Sequence, residues 1–109
     1  MKFELKNKVA LVTGGSQGIG LACIESLAFE GCNIGMLARN EENLKKKCSY
    51  ISEKYKVDCL PIKGDVSDPD IPDFAIKIMK KKFSRLDILV NNSGGPPLGS
   101  FINYNDNDW

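Results

Sequence analysis

Val9-Ala10-Leu11-Val12-Thr13-Gly14-Gly15-Ser16-Gln17-Gly18-Ile19-Gly20 joins a short apolar run to a glycine cluster and then to a helical pattern. Residues 19–29 carry Ala22, Ile24, Leu27 and Ala28 at helical spacing, and Gly31 is a helix stop. The alternation continues outward from there. Residues 33–38 form a second apolar run. Residues 41–55 read as a helix with acids in its first turn and lysines later, matching the helix dipole. Residues 57–62 form a third run, with Pro61 near its end. Ser67-Asp68-Pro69 reads as a helix start, a capping residue followed by proline, and that helix reaches about Phe83 with Phe74, Ile78 and Met79 on one side. Residues 86–90 are the fourth run. The order β-α-β-α-β-α-β predicts an α/β fold with right-handed crossovers and a parallel sheet covered on both faces.

At 109 residues the chain is at most one domain. Its 15 Lys+Arg against 14 Asp+Glu, a formal +1, leave no electrostatic footprint for nucleic acid or an anionic membrane. A hydrophobic share of 42% with 27% charged residues is globular composition. The chain has no histidine, which removes Ser-His-Asp and Cys-His catalysis and His-ligated metal sites. Cys23, Cys32, Cys48 and Cys59 show neither CxxC nor zinc-like spacing, and no metal is expected. Each lies in or beside an apolar stretch, which predicts buried free thiols. Met1-Lys2-Phe3-Glu4-Leu5-Lys6-Asn7-Lys8 is charged and alternating, unlike a signal peptide, and no apolar run nears the ~18 residues of a membrane span. A soluble cytoplasmic domain is expected. Lys45-Lys46-Lys47 and Lys80-Lys81-Lys82 fall late in helices, where solvated lysines are expected.

A parallel sheet of this kind binds its ligand outside the carboxyl ends of its strands. The segments leaving those ends are residues 13–20, 38–40, 64–67 and 91–95. In the first, glycines let the chain turn tightly and let backbone N–H groups approach a pyrophosphate, with the helix N-terminus supplying a positive dipole end. Gly20 allows close packing of helix on strand. A glycine-rich segment alone is equally a tight βα turn; here the flanking strand and helix stand in the right order for phosphate binding. No Gly-Lys-Ser/Thr ends the segment, so it is not a P-loop.

Thr13-Gly14-Gly15-Ser16-Gln17-Gly18-Ile19-Gly20 resembles the cofactor fingerprint Thr-Gly-x-x-x-Gly-x-Gly of the short-chain dehydrogenase/reductase family, classical type. The likeness continues in Asp65-Val66 after the third strand and in Asn91-Asn92-Ser93-Gly94 after the fourth, where the family's usual form is Asn-Asn-Ala-Gly. It covers essentially the whole chain, and within the family 3-oxoacyl carrier-protein reductases look most alike. The resemblance implies a Rossmann-type doubly wound sheet with strand order 3-2-1-4 and three crossover helices. It implies dinucleotide contacts at Thr13, Gly14, Ser16, Gln17, Gly18, Ile19 and Gly20. Asp65 would accept from the adenine amino group beside Val66, and Asn91 and Gly94 would line the adenosine and nicotinamide-ribose side. An NAD site of this type places an acid at the end of the second strand. Here Ala38 stands there, followed by Arg39, whose fork suits a 2′-phosphate. NADP is therefore expected over NAD. The substrate class implied is a small-molecule carbonyl or alcohol, with a homo-oligomer as the intact protein.

The family's catalytic Tyr-x-x-x-Lys, with its Ser and Asn, lies beyond the Asn-Asn-x-Gly segment. None follows before Trp109, although Asn105-Asp106-Asn107-Asp108 reads as a helix start. Residues 1–109 are thus expected to be an incomplete dinucleotide-binding domain without its catalytic half and inactive alone; the alternative is a standalone nucleotide-binding module. Tyr50-Ile51-Ser52-Glu53-Lys54 matches the pattern, but about nine residues into a helix, roughly 13 Å from the ligand edge, so it is read as a chance match. Residues 94–99, with two prolines, read as a rigid loop bordering a substrate pocket. In such a fragment residues 86–90 are expected to become an exposed apolar edge, promoting self-association or marginal stability.

Overall fold

The computed structural model describes residues 5–14, 18–91 and 100–103, with the side chains of Ile19 and of 100–103 left aside. The elements run β1 (Val9–Thr13), α1 (Gly18–Phe29), β2 (Asn33–Ala38), α2 (Glu41–Tyr55), β3 (Cys59–Lys63), α3 (Ile71–Phe83), β4 (Ile88–Asn91) and β5 (Ser100–Asn103). The sheet order is β3-β2-β1-β4-β5. The first four strands are mutually parallel, as the α/β pattern requires.

β5 corrects the expectation of a bare β4 edge. It pairs antiparallel with β4, Ile88 opposite Asn103 and Asn91 opposite Ser100. The intervening stretch, residues 92–99, is too short for a parallel crossover, which takes a dozen residues or more, so the chain can only return antiparallel. The premise for self-association through β4 is thereby removed. The loop at 94–99 and the helix start at 105–108 lie outside the described residues.

Central β1 is buried along nearly its whole length because both faces of the sheet are covered. Ala10 and Val12 join Ile34, Met36, Ile88 and Val90 beneath α1 and α2, which contribute Ile24, Leu27, Ala28, Leu44, Cys48 and Ile51. Val9 and Leu11 turn the other way, joining Leu37, Ile62 and Leu86 beneath Ala75 and Met79 of α3. Ala22 departs from the expected stripe and is exposed. Gly31 ends the turn after α1 at φ +90°, and a Cβ there would press on Lys6 at 3.3 Å. Asn40 caps α2, its side-chain oxygen accepting from the Asn43 N–H at 3.0 Å. Lys45 and Lys46 are exposed in the first half of α2 rather than late in it; the last-turn cation is Lys54.

The start of α3 also differs from expectation. Asp65 and Asp68 each accept from backbone N–H groups two residues on, at Ser67 and Asp70, both at 2.9 Å. These Asx turns occupy the segment ahead of the helix, and Pro72 lacks the N–H that a helix begun at Asp68 would need for its first bond, so α3 begins at Ile71 with Pro72 in its first turn. Phe74 is 49% exposed, and the stripe facing the sheet is Ala75 and Met79. Met79 lies over Gly35 of β2, where an added Cβ would collide with its Sδ and meet its Cε at 2.6 Å. Gly35→Val should therefore lift α3 and cost about 1–3 kcal/mol by overpacking. Urea denaturation checks this, and a variant as stable as the parent would show that Met79 can repack freely.

Candidate functional site

The register brings the carboxyl ends of the parallel strands to one rim. Thr13 of β1 stands opposite Leu37 and Asn91, and Ala38 opposite Lys63. Past this rim, Gly14 adopts φ +65° and its N–H donates to the Leu37 carbonyl at 2.8 Å, turning the chain off the strand. Gly18 opens α1 at φ +63°, and a Cβ built there would meet nothing within 4 Å. No acid stands in the first turn of α1. An open helix N-terminus without a carboxylate is suited to an anion. Gly20, in the first turn of α1, is buried. Ser16 and Gln17 lie outside the described residues, as does Gly94; the backbone of Ile19 lies within α1.

The Thr13 hydroxyl donates to Asn91 Oδ1 at 3.0 Å, joining the ends of β1 and β4. Both residues line a cleft of about 130 Å³ on the α3 side, together with Val66, Ile71, Ala75 and Leu89. That volume is below the roughly 300–1,000 Å³ of a whole small-ligand site, and fits one subsite of a longer molecule. Val66 is 38% exposed at its mouth.

Asp65 follows β3. The Ser67 N–H and hydroxyl donate to its Oδ1 at 2.9 and 2.8 Å. Those bonds, with the nearby charge of Arg39, hold its carboxyl below the usual carboxylate range, so it is an ionised acceptor at neutral pH. Arg39 itself is exposed, and among the described residues neither it nor Lys63 has a carboxylate within 4.0 Å. Lys63 was not singled out from sequence. It closes the third apolar run as a lone cation, and only its register opposite Ala38 places it beside the strand end that Arg39 follows.

Tyr50 and Lys54 do meet, Lys54 Nζ donating to the Tyr50 hydroxyl at 2.9 Å. They do so on the outer surface of α2, where Tyr50 is 46% exposed. Lys54 lies 3.6 Å from Glu25, and hydrogen bonding to Tyr50 and Tyr55 raises its pKa. The geometry is that of an i, i+4 surface pair, as the sequence reading holds. No described helix is long and apolar enough to cross a membrane.

A family model described as short chain dehydrogenase matches residues 8–109. Dehydrogenase/reductase SDR family member 4 of Caenorhabditis elegans is 33% identical over 109 residues, 99% of this chain and 41% of that protein. Among solved structures, L-sorbose reductase from Gluconobacter frateurii, complexed with NADPH and L-sorbose, superposes with a TM-score of 0.83 at 38% identity, covering 87% of this chain and 36% of that one. An NAD+-bound xylitol dehydrogenase superposes with a TM-score of 0.73 at 31% identity, covering 80% and 33%. The chain therefore spans less than half the length of each of these three proteins.

Proposed function

Since this chain belongs to the short-chain dehydrogenase family, we propose that it is the amino-terminal, cofactor-binding part of an NADP-dependent oxidoreductase. The intact protein would reduce a carbonyl, or oxidise an alcohol, of a small molecule. The observation that carries the choice of cofactor is the strand end at Ala38, where no acid stands and the exposed cations Arg39 and Lys63 do. A 2′-phosphate there meets attraction rather than repulsion.

In this reading Thr13, Gly14, Gly18 and Gly20, with Ser16, Gln17 and Ile19, surround the pyrophosphate at the head of α1. Asp65 accepts from the adenine amino group, and its bonds to Ser67 keep the carboxylate oriented for that. Val66 packs on the ring, and Asn91, braced by Thr13, lines the cleft with Gly94. The bound dinucleotide would supply hydride chemistry; this chain's own residues bind and orient it. The 109-residue chain is itself inactive, because its one Tyr-x-x-x-Lys points into solvent from α2. The intact protein is read as a cytoplasmic homo-oligomer.

Adenosine half-ligands test the cofactor side without any chemistry. Adenosine 2′,5′-bisphosphate should bind this chain more tightly than adenosine 5′-phosphate. Lys63→Met should weaken only the former, by roughly 2–5-fold, the scale of one exposed charge contact. Equal affinities would favour NAD instead. Carbonyl-dependent NADPH oxidation by this chain, abolished in Tyr50→Phe, would overturn the assigned inactivity.

A further inference from the structure

Folding sorts charge that the near-neutral total conceals. From Phe74 to Arg85 the chain carries Lys77, Lys80, Lys81, Lys82 and Arg85, and no acid. α3 docks on the sheet through Ala75 and Met79, and Ile76 lines the cleft with Leu89 of β4. At about 100° per residue, Lys77 then points away from the sheet and Lys81 lies one turn further along the same side. Phe74 and Ile78 form the opposite flank from Ile76, the one toward β2 and β3. Lys77, Lys81 and Lys82 are exposed, and among the described residues none has a carboxylate within 4.0 Å. Arg85 is committed to Asp87. Phe74 is 49% exposed beside the lysines, and Ile78 is half-buried.

The helix dipole accounts for Lys81 and Lys82, which lie in the last turn of α3. It does not account for Lys77, because the effect fades beyond that turn. The helix's own acid, Asp73, stands in its first turn, at the other end from Lys81 and Lys82. One face thus joins unpaired cations to an exposed aromatic ring.

We propose that the outer face of α3 is a peripheral docking surface for an anionic phospholipid bilayer. Charge complementarity names the occupant. Each lysine near an anionic surface shifts partitioning by roughly fivefold, so three give on the order of 100-fold over a neutral bilayer. Phe74 supplies the second signal that stable attachment needs, an apolar ring beside the cations that enters the headgroup–acyl boundary. The unpaired cations are lysines, point charges suited to headgroups, whereas the arginine fork is the group that reads nucleic-acid phosphates and bases. The helix lies along the membrane plane and crosses nothing, in keeping with its length and polarity. Lys81 lies ten residues, about 15 Å, beyond the start of α3 and so away from the strand ends that form the candidate cofactor rim. Docking there leaves the rim open.

The test is co-sedimentation of the 109-residue chain with sucrose-loaded vesicles, made of phosphatidylcholine alone or of an equimolar mixture with phosphatidylserine. Binding is expected to the mixed vesicles only, and should fall steeply as salt rises. Lys77→Gln/Lys81→Gln/Lys82→Gln should lower it roughly 30–100-fold, and Phe74→Ser alone by roughly 3–10-fold. All four side chains are exposed, so circular dichroism and thermal melts of these variants should match the parent. Lys45→Gln/Lys46→Gln/Lys47→Gln removes the same formal charge from α2 and should bind like the parent. Equal losses for the two triple variants would show that net charge alone is sensed, and would overturn the proposal. Absence of sedimentation with the mixed vesicles would overturn it too. So would retention on polyuridylate at the same salt with no effect of Phe74→Ser on vesicle binding, which would make the face a nucleic-acid surface.

Discussion

Asp87→Ala is expected to lower the stability of this chain by about 2–3 kcal/mol, the largest single loss from any polar side chain described. The Val9 N–H, at the start of β1, donates to Asp87 Oδ2 at 2.9 Å. The Asp87 N–H returns a bond to the Val9 carbonyl at the same distance, and Arg85 grips both carboxylate oxygens at 2.8 Å. The side chain is only 15% exposed, so its removal strands the Val9 N–H in a covered position at the root of the central strand. The Arg85 half of the clamp, 44% exposed, contributes little of this. Thermal melts should show a fall on the order of 10 °C. A shift within a degree or two would mean that water replaces the carboxylate at no cost.

The same group shapes the acid response. Burial pushes the Asp87 carboxyl up, but the Arg85 and Val9 donors, with Lys8 nearby, outweigh it and hold the pKa below its ordinary value. A carboxylate depressed in the folded state stabilises fully above its unfolded pKa near 3.9 and loses that stabilisation as pH falls through the folded value. The stability difference between the parent and Asp87→Asn should therefore be constant from pH 7 to about 5 and shrink below about 4. Denaturant titrations at these pH values check the sign; a difference that grows on acidification would contradict it.

Arg39→Ala should weaken NADPH binding by roughly 10–100-fold and leave NADH within about twofold, if the 2′-phosphate sits where we propose. A charge-assisted fork to a phosphate contributes about 1.5–3 kcal/mol, which sets that range. Arg39 is exposed and has no carboxylate within 4.0 Å among the described residues, so its loss leaves no buried group unpaired and the melting temperature should hold. The selectivity of the effect is its discriminating feature. Equal losses for both cofactors would point to a damaged loop, and no loss for either would place the 2′-phosphate elsewhere. Raising salt should erode NADPH affinity in the parent and much less so in the variant.

Sequence alone determined the alternation of strands and helices, the glycine turn into α1, and the family, because each rests on local chemistry. Apolar runs and helical spacing are written in consecutive residues, and Gly14 and Gly18 meet a positive φ that few other residues tolerate. The positions of Thr13, Asp65 and Asn91 at the sheet rim follow from the same logic, since each ends a strand that could be counted. What only the tertiary structure decided involves pairs far apart in the chain. Lys63 became a candidate through its register opposite Ala38, and Asp87 became the clamp on Val9. β5 appeared because a short return can satisfy the hydrogen-bonding groups of β4 only in the antiparallel sense. Phe74 turned outward because α3 docks on the sheet through Ala75 and Met79, which leaves Phe74 on its outer side. Register and helix phase are settled by packing between segments, and no local window of residues contains both partners.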